Sequence, residues 1–316
     1  SELVVPLLLK DRCIGVFDLE SPELDAFKKT DAEILTLLAS QAAVAIENAR
    51  LYRTIRANEA RLEKELKFAQ RVQAALLPVD LPKRIKGIDV AARLAPAREL
   101  GGDLYDFLAP DPNSLVVAVG DVSGKGVPAA LYSAFVGELV RSRTFRRRYA
   151  PERFSPGGVL ASTNTILCER QLEEYYCTLC YAIFDVKRRN VTVANSGLPY
   201  FVRVRGINRA ASEYEAPAQI ELSGLPLGSF PGSSYDELTL DLKAGDLYVF
   251  CSDGVFEAND LQLREFGAAR LLKVIEEHQA EPARAIVDAI FDAVEEFRGD
   301  ALPNDDMTAV AVKIEQ

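Results

Sequence analysis

The chain has 316 residues, 48% hydrophobic and 27% charged, a composition that supports a sizeable folded core and excludes a fully disordered chain. Its 37 Lys+Arg against 47 Asp+Glu leave a net charge of −10, which repels nucleic acid phosphates and anionic lipid, so neither nucleic acid nor a membrane is expected as partner. The one histidine, His278, excludes zinc sites built on paired histidines and leaves one candidate for any triad base.

No apolar run approaches the roughly 18 residues of a membrane span, and the N-terminus lacks a charged start followed by an apolar core and cleavage site. Five cysteines without framework spacing point to free thiols in a reducing compartment, so a soluble, cytoplasmic protein is expected. Cys177 and Cys180 form a C-x-x-C in a strand-like segment. Positions three apart on a strand face opposite sides, so both are read as core.

In chain order, two strand-like runs at 3–9 and 13–19 flank a turn at Lys10-Asp-Arg12. A helix is expected to open with Thr30 as N-cap and Glu33 as its capping-box partner, then run without Gly or Pro to Pro78. Along it, Leu51, Ile55, Asn58, Leu62, Glu65, Ala69, Val72 and Leu76 follow the four-three spacing of a coiled-coil seam. The seam predicts a parallel homodimer through residues 30–78; an amphipathic strut lying against its own domain is the other reading. Two strands and a helix cannot close a core alone, so residues 1–50 read as the end of a larger domain.

Beyond Pro78, strands are predicted at 115–120, 177–184, 191–194, 200–205, 237–242, Leu247–Cys251 and 308–314, with helices at 128–145, 156–170, 268–278 and 282–297. Short turns between strands, such as 186–190, favour an α+β layered fold over an alternating parallel sheet.

The chemistry is expected where acidic residues fall beside apolar strands. The run 115–120 ends on Asp121, and 247–252 ends on Asp253-Gly254. Asp305-Asp306 stands just before the last strand, and Asp103 follows Gly101-Gly102. Any one of these could be a turn aspartate. Together they are costly to desolvate without a cation, and an oxygen-only set without histidine suits Mg²⁺ or Mn²⁺.

The blocks Glu99-Leu-Gly-Gly-Asp-Leu-Tyr-Asp-Phe107, Gly120-Asp-Val-Ser-Gly-Lys-Gly-Val-Pro-Ala-Ala-Leu131, Cys251-Ser-Asp-Gly-Val-Phe-Glu257 and Asn304-Asp-Asp-Met-Thr308 resemble the PPM-type metal-dependent protein serine/threonine phosphatases, in the bacterial SpoIIE/RsbU branch. The stretch 68–78 resembles that branch's entry helix, and 225–230 and 244–247 also match. Upstream, Val5-Pro-Leu, Ile14-Gly-Val-Phe and the helix 37–52 resemble the C-terminal end of a GAF sensor domain. The resemblance implies a GAF remnant at 1–50, a coiled-coil linker at 51–78 and a phosphatase domain at 79–316, the last with two packed antiparallel sheets flanked by helices.

The resemblance also implies two bound ions, Mn²⁺ or Mg²⁺. Asp121 would bridge them, Asp103 and Asp305 would complete the second site, and Asp253 the first. The Val122 carbonyl would add a ligand, with Asp306 able to assist or replace Asp305. The implied reaction is hydrolysis of phosphoserine or phosphothreonine on a protein, a STAS-type anti-anti-sigma regulator in this branch. Control would pass from the upstream sensor through residues 40–78, with the helix 128–145 as the two-state element. A catalytically silent module that binds a partner protein is the alternative.

Two departures stand out. Leu198 replaces the branch's usual histidine after Asn195-Ser-Gly, so altered loop packing or substrate contact is expected there. No arginine for the phosphate is evident near the start of the phosphatase domain, and Lys125 is the possible substitute. Gly124-Lys125-Gly126 is not a phosphate-binding P-loop, because Val127-Pro128 follows instead of Ser or Thr. Arg141, Arg143 and Arg146 to Arg148 are expected as a solvated helix end or a contact for an acidic substrate.

Overall fold

The computed structural model describes residues 1–78, 85–145, 155–170, 172, 174–208 and 213–315. The chain divides into two compact units, Ser1–Lys67 and Phe68–Gln316. Among the described residues, no helix is long and apolar enough to cross a membrane.

In the first unit, β1 (Glu2–Leu9) and β2 (Arg12–Glu20) form an antiparallel hairpin, turned at Lys10 with φ 53°. Helix α1 (Lys29–Leu76) sets Ala39 and Ala43 against Val5 and Leu7. The two alanines are one turn apart, so the helix backbone lies close to the sheet. The expected Thr30 cap is displaced: the Asp31 carboxylate accepts the Lys28 N–H at 2.7 Å, and Thr30 lies inside the first turn. Aspartate reaches back to the cap as a capping-box glutamate does, and its charge suits the positive end of the helix. The seam residues Leu51, Ile55, Leu62, Val72 and Leu76 are exposed along α1.

The second unit begins with the end of α1 and contains two five-stranded sheets. The strands in chain order are β3 (Ile88–Ala95), β4 (Leu104–Asp111), β5 (Ser114–Val122), β6 (Cys177–Asp185), β7 (Asn190–Asn195), β8 (Val202–Val204), β9 (Gly206–Asn208), β10 (Glu213–Tyr214), β11 (Ala218–Gln219), β12 (Glu237–Asp241), β13 (Leu247–Cys251) and β14 (Met307–Ile314). One sheet runs β11-β8-β13-β14-β3 and the other β12-β7-β6-β5-β4, with antiparallel pairing throughout; β9 and β10 form a small separate ribbon.

The helices of this unit are α2 (Val127–Phe145), α3 (Pro156–Glu169), α4 (Asp253–Phe256), α5 (Gly267–His278) and α6 (Ala283–Arg298). The inner faces of the sheets meet through Val117, Val119 and Phe184 on one side and Tyr248, Phe250 and Val310 on the other. Helices α2 and α3 cover the outer face of the second sheet through Val136, Val140 and Leu160, while α5 and α6 cover the first through Leu271, Ile275, Ile286 and Ile290. The layering is the expected αββα sandwich. Strand β5 is buried on both faces, which accounts for its unbroken apolar run. Cys177 joins the outer core and Cys180 the inner one, as strand alternation requires.

Strands β3 and β4 were absent from the expected set. Strand β4 is obscured by Asp106, which is buried on its outer face and takes the Arg141 Nε–H at 2.5 Å. Arg141 is therefore no solvated helix end. It neutralises a buried carboxylate and also donates from Nη2 to the Leu76 carbonyl at 2.5 Å. Arg146 to Arg148 lie outside the described residues. Leu198 is a core residue between the sheets, its backbone N–H and C=O both bound by the Asn195 side chain. His278 closes α5 and contacts Glu281 at 3.1 Å.

Candidate metal centre

Strand register brings the acidic residues to one end of the sandwich. Leu104 is paired with Gly120, so the start of β4 and the end of β5 lie side by side in one sheet. Cys251 is paired with Ala309, which places the end of β13 beside the start of β14 in the other. Asp103 and Asp121 thus come from one sheet, and Asp253, Asp305 and Asp306 from the other.

Asp103 joins the two. It is 2% exposed, and its Oδ2 accepts Ser252 Oγ–H at 2.8 Å and Thr308 Oγ1–H at 2.6 Å, both from the opposite sheet. Its Oδ1 is buried without a hydrogen-bond donor from the protein. Burial, then the charge of Asp121, holds the Asp103 carboxyl well above the usual range. Burial and then the charge of Asp253 push Asp121 up to about 7, while Asp103 lies within hydrogen-bonding reach. Asp253 is raised by burial and next by Asp305. These are carboxylates held in mutual repulsion, a state that a cation relieves.

Asp305 and Asp306 divide in role. Both Asp306 oxygens are engaged by backbone, Oδ1 by Ala97 N–H at 2.7 Å and Oδ2 by Gly102 N–H at 2.6 Å. Asp306 thus fastens the 97–102 loop to the head of β14. Asp305 instead pairs with Lys125 Nζ at 2.9 Å, and the same ammonium contacts the Asn304 carbonyl. The field on Asp253 comes from Asp305, whereas Asp103 feels Asp121 and Asp306.

Two glycines permit the approach. A Cβ on Gly102 would stand 2.7 Å from the Val122 carbonyl oxygen, and one on Gly254 would stand 1.9 Å from the Asp306 carbonyl. Side chains there would push apart the strands that carry the aspartates. Gln73, near the end of α1, donates from Nε2 to the Gly101 carbonyl at 2.6 Å and accepts Gly101 N–H at 3.4 Å. It thereby ties this helix end to the loop before Asp103.

Ser252, Thr308 and Gln73 were not singled out from sequence. The adjacency of two hydroxyl residues to Asp253 and to Asp305-Asp306 was the available signal. Among the described residues no three Asp, Glu, His or Cys side chains are drawn together into a ready-made ion cage. Even so, the unpartnered Asp103 oxygen, the raised carboxyls and the all-oxygen donor set fit hard divalent ions.

A two-sheet sandwich flanked by helices, with aspartates gathered where both sheets end, defines a PPM-type phosphatase domain. Residues 111–315 match the sequence profile described as stage II sporulation protein E (SpoIIE), and the chain belongs to that family. Residues 1–48 match a GAF domain profile. The chain is 29% identical over 267 residues to phosphoserine phosphatase RsbU of Bacillus subtilis (strain 168), covering 83% of this chain and 73% of that protein. It spans less than half the length of the other curated relatives it matches. Among solved structures, the SiaA-PP2C domain of Pseudomonas aeruginosa superposes with a TM-score of 0.68 at 18% identity, covering 82% of this chain and 99% of that one. The catalytic domain of the serine threonine protein phosphatase PstP, solved in complex with 2 manganese ions, shares the fold with a TM-score of 0.50 at 16% identity, covering 73% of this chain and 99% of that one.

Proposed function

We propose that the chain hydrolyses phosphoserine or phosphothreonine on a protein, using two divalent ions, Mn²⁺ or Mg²⁺. The observation that supports this reading is the arrival of Asp103, Asp121, Asp253 and Asp305 from both sheets at one end of the sandwich, where Asp121 feels the charges of Asp253 and Asp305 and the buried Asp103 Oδ1 has no hydrogen-bond donor. These four, with the Val122 carbonyl, would hold the ions; Asp306 serves the loop that positions them. When bound, such ions cancel the acidic field that repels a phosphate dianion and activate water for in-line attack.

The chain's own residues set the stage. Ser252 and Thr308 fix the Asp103 carboxylate through Oδ2, leaving Oδ1 without a donor. Lys125 stands at the mouth beside Asp305 and offers a cation to the incoming phosphate. Turnover of an aryl phosphate that requires added Mn²⁺ or Mg²⁺ is the expected result. Inactivity under every metal condition would favour a silent partner-binding module instead. The substrate we propose is a phosphorylated STAS-type protein, as the resemblance to the SpoIIE/RsbU branch implies, checked by loss of its phosphate under the same conditions.

We further propose that an upstream sensor gates activity through residues 40–78 of a parallel homodimer formed by residues 30–78, with α2 as the responding element. Within the phosphatase unit, Gln73 and Arg141 tie the end of α1 to the Asp103 loop and to α2. The variant Leu62→Lys places a charge on the seam. It is expected to have a monomer mass by light scattering and about tenfold lower turnover, since a buried unpaired charge costs several kcal/mol. A fully active dimer would overturn this part.

A further inference from the structure

At the mouth of the aspartate cluster, exposed apolar side chains converge from separate segments of the phosphatase unit. Val127 and Leu131 stand one turn apart on α2, and Leu131 is 67% exposed. Tyr176 is also exposed. It is fixed beside the site because Ser123, two residues past Asp121, donates its N–H to the Tyr176 carbonyl and accepts the Tyr176 N–H on Oγ, each at 2.9 Å. Cys177 exchanges both backbone bonds with Leu227, at 3.0 and 2.8 Å. This brings the segment that carries Leu225, 49% exposed, beside the start of β6, where Thr178 is paired with Asp121 in the sheet. Leu302, 87% exposed, lies two residues before Asn304, whose carbonyl contacts Lys125.

Single exposed leucines are ordinary on a protein surface, but apolar side chains grouped about one opening mark a contact surface. This opening is acidic, and Lys125 is the cation paired with it, so acidic flanks on a substrate gain nothing here. Resting on the phosphatase reading, we propose that this rim docks the substrate itself. The ligand is a phosphoprotein segment with aliphatic or aromatic side chains within two or three residues of the phosphoserine.

The reach agrees. The Leu225 segment lies two strand spacings from β5, about 10 Å, and two or three extended residues span about 7–10 Å. The flanking side chains of an extended segment therefore land on the rim when its phosphate is at the aspartates. The chemistry read from the rim is the sequence context of the phosphorylated residue, a property of the substrate separate from the hydrolysis.

The experiment compares two ten-residue phosphoserine peptides, one with Leu and Val at the two positions on either side, the other with Gln and Ser. The full chain with Mn²⁺ is expected to show about tenfold higher kcat/KM on the apolar peptide, the effect of burying one or two aliphatic groups. The double variant Leu131→Asp, Leu225→Asp should lose that preference and still turn over p-nitrophenyl phosphate, which is too small to span the rim. Equal kcat/KM on the two peptides in the wild-type chain overturns the docking inference alone, however the variant folds. A preference that survives the double substitution also overturns it. Absence of p-nitrophenyl phosphate turnover by the wild-type chain overturns the phosphatase reading and the docking inference together.

Discussion

Asp121→Asn is expected to lower metal-dependent turnover of an aryl phosphate by about 10³-fold or more, the scale seen when a preorganised electrostatic group is removed. The same variant should melt higher than the wild-type chain when both are metal-free. Burial and the charge of Asp253 raise the Asp121 carboxyl from 3.8 to about 7, so at pH 8 the folded wild-type chain carries an anion that its surroundings resist. Asparagine keeps the shape and removes that charge. The relief is on the order of 2 kcal/mol after discounting for relaxation of the site. In a domain of this size that corresponds to about 5 °C in Tm. A variant that is both inactive and less stable would mean that Asp121 is an ordinary structural residue. A variant retaining a tenth of wild-type turnover would remove Asp121 from the proposed ion set. The paired readout matters because most inactivating substitutions also destabilise, whereas an ion site without its ion stores repulsion.

The sandwich was legible wherever burial is two-sided. Strands β5, β6, β13 and β14 are continuous apolar runs because helices cover one face and the opposing sheet covers the other. Strand β3 was illegible because Asp89 and Arg93 interrupt its apolar residues, of which only Ala91 is fully buried. Strand β4 was hidden because Asp106 looks like a turn residue until Arg141, 35 positions away, is seen to neutralise it. The site followed the same division. The aspartates were visible as charges at strand ends, since no apolar strand terminates on a carboxylate without a reason in turn chemistry or ligation. Their supporting groups were not visible, because a Ser252 hydroxyl reaching Asp103 across 149 positions has no local signature. The separate duties of Asp305 and Asp306 likewise depended on the backbone of the 97–102 loop, which sequence order does not reveal.

Stability should depend on pH and metal in opposite ways. In the metal-free chain, Asp103, Asp121, Asp253 and Asp306 all have folded-state pKa values above their unfolded ones. Between the unfolded value near 3.8 and the folded value, about 7 for Asp121, the folded chain binds more protons than the unfolded chain. Stability therefore falls as pH rises through this window and levels off above it. The exposed Glu63, lowered by its hydrogen bond to Lys67, runs in the opposite sense, and as a surface pair it contributes little. With EDTA present, Tm is expected to fall by several degrees between pH 5 and pH 8. A divalent ion competes with protons for the same carboxylates, so its stabilising effect should grow over the same range. At a hundred times its dissociation constant the ion adds about 2.7 kcal/mol, enough to cancel the decline. Melting curves from pH 5 to pH 8 with EDTA and with MnCl₂ should therefore diverge steadily as pH rises. Curves that stay parallel, or a metal-free Tm that climbs with pH, would show that the aspartates bind no ion and that their repulsion is relieved within the protein.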